Sequence, residues 1–237
     1  MGNDKIDRSG TDRSCFFGEN HHRILMDKSP PVVYTCVHTV EILEVMRNMQ
    51  PRLFLTGPSG CGKSTLIRRE LGERFHRAGG FVTHRDRDEN GVVRGFEICS
   101  ADGYSPRDRF LDMTGEQPRI DLEVFDRAGL EYLRQAQERS FAVLVEMGGV
   151  ELLNDRFMDV LARYLSGSHP CIGVMKGAGP AGKLVEMMGL TVRYELARRA
   201  LFEHLRNEPN TCLVECTGWD DQNALNAVRQ WVAEYAQ

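Results

Sequence analysis

Residues 57–65 read GPSGCGKST and follow directly on the apolar run LFLT at 53–56. Glycine, four residues, then Gly-Lys-Ser is a phosphate-gripping pattern when a strand enters it and a helix leaves it. The glycines let the backbone curl so that successive N–H groups point inward as an anion nest. The helix that follows turns its positive end toward the same place. We therefore expect Gly57, Pro58, Ser59, Gly60, Cys61, Gly62, Lys63, Ser64 and Thr65 to hold a nucleotide. Lys63 would reach the β- and γ-phosphates, and the Ser64 hydroxyl would ligate Mg²⁺. Cys61 reads as a small spacer rather than a reactive thiol, since that motif position is variable.

The hydrophobic pattern around this loop dictates the fold class. RLFLT (52–56), GGFVTHR, FAVLVEM, PCIGVMK and TCLVECTG are strand-sized, and helical spacing separates most of them. Leu66, Ile67, Leu71 and Phe75 share one face of a helix expected over 63–78, and Leu225, Val228, Trp231, Val232 and Tyr235 share one face of the last. Asp220 or Asp221 caps that last helix. GGFVTHR and GVVRGFEI are joined through DENG, whose Asn90-Gly91 suits a tight hairpin turn. Alternating strands and helices predict an α/β, three-layer P-loop NTPase fold. It would have a mainly parallel sheet, helices on both faces and an inserted β-hairpin.

Residues 1–30 are polar and weakly periodic, so a disordered or loose arm is expected there. VVYTCVHTVEILEVMRNMQ, from Val32, suits a strand and a short helix. The domain organisation is thus an extension over 1–48 and a P-loop, nucleotide-binding domain over 49–237. With a net charge of -4 and no basic tail, nothing supports nucleic-acid binding. Strand-sized apolar runs predict no membrane span, and an amino terminus without an apolar core predicts no secretory signal. Seven scattered cysteines read as the reduced thiols of a cytoplasmic protein.

Three further features bear on chemistry. The apolar run FAVLVEM carries one acid, Glu146, near its end. Buried strands seldom finish in an unpaired carboxylate, so Glu146 is a candidate base or water-positioning group beside the γ-phosphate. GAGPAGKL at 177–184 imitates the first loop, but Leu184 replaces its hydroxyl; it reads either as a flexible loop with Pro180 opening a helix or as a loop whose position brings Lys183 near the site. Arg85, Arg87 and Arg94 cluster around the hairpin, either as a solvated turn or as a source of an arginine facing the triphosphate.

GPSGCGKST, GGFVTHRDRDENGVVRGFEI, VFDRAGLEYLRQA and LVEMGGVELLNDRF, in that order, resemble the small nucleoside-triphosphatases, also called cancer-related nucleoside-triphosphatases. The likeness covers about residues 52–175. It implies hydrolysis of nucleoside triphosphates (ATP or GTP, with loose base preference) to diphosphate and phosphate. It also aligns Glu146 with the second acid of the family's Asp-Glu pair, and Glu151 with its later Glu. Val145 stands where the family has Asp, which implies weakened Mg²⁺ coordination and slow turnover. The competing readings are a nucleotide or small-molecule kinase, and a regulatory ATP- or GTP-binding protein with little turnover.

Overall fold

The structure is a computed structural model that describes residues 50–103, 105–177, 190 and 192–237. The expected amino-terminal extension, with Cys15 and Cys36, and the second glycine loop beyond Gly177, with Lys183, lie outside the described residues.

Within them the chain runs β1 (Arg52–Thr56), α1 (Lys63–Leu71), β2 (Gly79–Arg87), β3 (Val93–Ser100), β4 (Asp108–Asp112), β5 (Arg119–Ile120), α2 (Leu130–Glu138), β6 (Ala142–Met147), α3 (Asp155–Ser166), β7 (Cys171–Met175), α4 (Val192–Asn207), β8 (Thr211–Glu215) and α5 (Gln222–Tyr235). The strands form one sheet in the order β5-β4-β3-β2-β6-β7-β1-β8. From β2 to β8 all neighbours are parallel, and β3, β4 and β5 extend the sheet as an antiparallel meander.

Period-two alternation sorts the strand side chains into two cores, which makes the three layers. Phe54, Ala142 and Leu144 face α2, α3 and α4, meeting Leu133, Phe157, Leu161 and Leu205. Leu53, Leu55, Val143 and Val145 face α1 and α5, meeting Ile67, Leu71, Val228 and Trp231. Capping sets where helices begin. Asn154 Oδ1 accepts from Phe157 N at 2.8 Å before α3, and Asp221 Oδ1 accepts from Ala224 N at 3.0 Å before α5. Arg52, wholly buried, fastens the start of β1. Its Nε donates to Thr211 Oγ1 at 3.0 Å, and its guanidinium also reaches the Gly167 carbonyl and, at 3.4 Å, Glu208.

Two expectations are refined. The helix after the glycine loop is α-helical only to Leu71, because Gly72 adopts φ 54° and the chain tightens into a 3-10 turn over Gly72–Arg77. The hairpin is present, but its first strand is itself a member of the parallel sheet, and β4 and β5 continue beyond its second. Among the described residues no helix is long and apolar enough to cross a membrane. Cys61, Cys99, Cys171, Cys212 and Cys216 carry free thiols.

Candidate active site

The site gathers at the carboxyl ends of β1, β6 and β7, where loops of a parallel sheet converge. β1 delivers the chain into the glycine loop. Gly57 has φ 127°, and a Cβ there would lie 2.3 Å from the Cys216 carbonyl oxygen after β8, so only glycine fits. Pro58, Ser59 and Gly60 form an exposed lip, while Cys61 is buried with its thiol 3.1 Å from the same carbonyl. Lys63 is also buried. Its Nζ donates to the carbonyls of Gly57 at 3.0 Å and Pro58 at 2.5 Å, and lies 3.4 Å from Cys61 Sγ, so the ammonium is held under the loop. Ser64 is half-buried in the first turn of α1 and Thr65 is exposed.

β6 reaches the site through a bulge. Its pairing with β7 passes from Val145↔Val174 to Met147↔Met175, leaving Glu146 as the extra residue. The insertion explains the side-chain pattern. Alternation would put residue 146 on the α2/α3/α4 face, yet Met147 takes that place beside Leu144. Glu146 adopts φ 69° and is the only non-glycine residue at positive φ among those described. A left-handed conformation costs an ordinary residue about 1–2 kcal/mol.

That strain aims the Glu146 carboxylate between two cations. Oε1 lies 3.6 Å from Arg85 Nη2 of β2, and Oε2 lies 3.9 Å from Lys176 Nζ just past β7. Oε2 is nevertheless buried without a hydrogen-bond partner among the described residues. Arg85 Nη2 also donates to Ser59 Oγ at 3.0 Å, linking β2 to the glycine loop. Arg87 and Arg94 point elsewhere, to the Gly91 carbonyl and to Asp88 within their own turn. The structure thus separates Arg85 from the arginines with which it clusters in sequence.

Glu151 is buried and fastens the turn after β6. Its Oε1 accepts from Gly148 N at 2.6 Å and Gly149 N at 2.8 Å, while Tyr194 Oη donates to the Gly148 carbonyl at 2.8 Å. Burial pushes the Glu151 carboxyl up from the usual range, against the opposing pull of Lys176 and these N–H groups.

Lys176 is the group that sequence reasoning passed over. Its Nζ sits 5.8 Å from the centre of the Phe96 ring of β3 as well as beside Glu146. Scarcity was the available signal: beyond residue 28 the only lysines are Lys63, Lys176 and Lys183, each at or beyond the end of a parallel strand. Gly177, next in the chain, lies against Gly57, so the loop after β7 leaves from beside the glycine loop. Val145 is 5% exposed and packed in the α1/α5 core, among the apolar residues there. Among the described residues no cluster of three His, Cys, Asp or Glu could hold a metal ion.

Comparison with known proteins identifies the family. The NTPase family model matches residues 52–208. The cancer-related nucleoside-triphosphatase homolog of Bos taurus is 30% identical over 139 residues, half of this chain and 70% of that protein. The Mus musculus homolog is 28% identical over the same shares. The nucleoside-triphosphatase THEP1 of Thermococcus kodakarensis is 27% identical over 54% of this chain and 77% of its own. The crystal structure of THEP1 from Aquifex aeolicus superimposes with a TM-score of 0.51 at 18% identity. It covers 75% of this chain and 96% of that one, a likeness of fold. A glycine loop set between β1 and α1, an acid at the end of β6 and a match spanning the sheet from β1 to α4 together establish that the chain belongs to the NTPase family.

Proposed function

We propose that the protein hydrolyses nucleoside triphosphates to the diphosphate and inorganic phosphate, with Mg²⁺. The observation that carries the reading is Glu146: a carboxylate held in a left-handed bulge, facing Lys176 and Arg85, with one buried oxygen that has no hydrogen-bond partner among the described residues. A fold does not keep a strained, half-satisfied carboxylate for packing. Such a group suits orienting a water for attack on a γ-phosphate. The names of the relatives support the same substrate class.

In this reading the loop N–H groups and Lys63 bind the β- and γ-phosphates, and Lys63 exchanges the Gly57 and Pro58 carbonyls for phosphate oxygens. Arg85, anchored on Ser59, lies where a cation stabilises charge building on the transferred phosphoryl oxygens. Lys176 and Arg85 hold Glu146 in position. The residues present fit Mg²⁺ bound chiefly by the nucleotide itself. Ser64 would supply a hydroxyl and the Glu146 carboxylate an acceptor, as expected for a cation that keeps several waters. When bound, Mg²⁺ neutralises charge on the β- and γ-oxygens. One observation favours a second reading, nucleotide binding with little turnover: the buried Val145 offers no carboxylate to the metal.

Phosphate release from ATP, GTP, CTP and UTP, each with and without Mg²⁺, tests the proposal against that alternative. Glu146→Gln keeps size and polarity but loses the charge. It should bind triphosphate normally and release phosphate about 10²- to 10⁴-fold more slowly, the usual range for a lost general base. Wild-type turnover in Glu146→Gln removes the residue from the mechanism. Binding without any phosphate release by the parent chain establishes the second reading.

A further inference from the structure

Resting on the phosphate-loop reading, a second feature speaks to the other end of the nucleotide. Trp219 is 68% exposed, and it is the only exposed aromatic among the large apolar residues that the surface presents in the described chain. Its place is not random. A Cβ on Gly62 would lie 2.8 Å from Trp219 Cε3 and 2.9 Å from Cδ2, so the indole packs on the bare backbone of Gly62, the residue that opens α1. Gly62 has φ 98°, and any side chain there would meet the ring.

The segment that carries the indole is tied down on both sides. Cys216 N donates to the Thr56 carbonyl at 2.8 Å, fixing the segment to the end of β1. Asp221 Oδ2 accepts from Thr217 N at 2.9 Å and Thr217 Oγ1 at 2.8 Å, closing the loop onto the start of α5. An indole with an exposed ring, fixed at the carboxyl end of the strand next to β1, stands where ligands of parallel sheets bind. Arg85, Glu146 and Lys176 come from β2, β6 and β7, on the opposite side of β1.

We propose that Trp219 is the stacking platform for the nucleobase, with the triphosphate running from it across Gly62 to Lys63 and on toward Glu146. Stacking on an aromatic face is tolerant of base identity, because every base has a π-face. The site therefore accepts all four triphosphates, with purines held more tightly for their larger face.

The two tryptophans make the test direct. Trp231 is 2% exposed, so acrylamide quenching of the folded chain reads Trp219. With Mg²⁺ present, ATP and GTP should shield the indole from acrylamide, and inorganic tripolyphosphate should bind without shielding it. Trp219→Ala should weaken ATP and GTP about 10- to 100-fold, leave tripolyphosphate affinity unchanged, and be rescued by Trp219→Phe. Unchanged ATP affinity in Trp219→Ala overturns the platform, as does an equal loss for tripolyphosphate, which would mark a structural effect on the glycine loop. Capture of a protein partner through Trp219 with no response to nucleotide also overturns it. Failure of both ATP and tripolyphosphate to bind the parent chain, or unaltered binding in Lys63→Ala, defeats the phosphate-loop reading instead and the platform with it.

Discussion

Glu146 joins conformation and chemistry in one residue. Its φ of 69° suits glycine, and glycine is what a fold without need of the carboxylate would place there. Ordinarily Gly in a strand is less stable than Ala by about 0.5–1 kcal/mol. At this position the order should invert: Glu146→Gly should be more stable than Glu146→Ala by about 1 kcal/mol in urea unfolding, since only Ala retains the left-handed strain. An Ala variant at least as stable as the Gly variant would show that the bulge relaxes when the carboxylate goes. The carboxylate itself was legible in sequence, because an acid closing an apolar run is hard to satisfy by packing. The bulge was not, since Met147 suits either face of a strand until its neighbours are known. Lys176 escaped for a different reason: a lysine at a strand end reads as a solvated boundary until β6 and β3 are brought beside it.

Among the elements, caps and turns behaved as residue chemistry dictates, while context overruled periodicity in two places. The sequence leaves either Asp220 or Asp221 as the cap of the last helix; the structure gives the role to Asp221, which also buckles the Trp219 loop, a contact that sequence alone does not reveal. Hydrogen bonds from Thr217 N, Ala224 N and Thr217 Oγ1 hold its carboxyl down at about 2. A folded pKa below the unfolded value of about 3.9 contributes stability above that value, and loses it as pH falls toward 2. Asp221→Asn should therefore lower Tm at neutral pH by an amount that shrinks between about pH 4 and pH 2. A gap that stays constant across that window would exclude the linkage. β4 carries no strand signal in sequence, because DRFLD has only two apolar residues between charges. It becomes a strand because Phe110 and Leu111 are buried once β3 offers an edge. The helix expected to reach residue 78 stops at Leu71 because Gly72 turns left-handed, which the apolar spacing through Phe75 conceals.

At the scale of the whole molecule, the parallel order of the sheet followed from alternating strands and helices, but the position of β1 between β7 and β8 did not, since nothing in a strand's own residues names its neighbours. We propose that the folding unit begins near residue 49. A chain starting at Met49 should then unfold cooperatively on heating and bind triphosphate as the full chain does. Loss of the cooperative transition would place residues 32–48 in the core. The burial of β1 between two late strands has a consequence for how the protein can be made and cut. During synthesis the glycine loop leaves the ribosome long before Cys171 and Thr211, where its flanking strands begin. Until β8 arrives, β1 is an edge, its row of backbone groups open to any passing strand, and Gly57 has no Cys216 carbonyl to rest on. The span matched by the family ends at residue 208, just short of that strand. A nonsense codon or a proteolytic cut there would leave every recognised motif intact and yield a sticky, aggregating fragment.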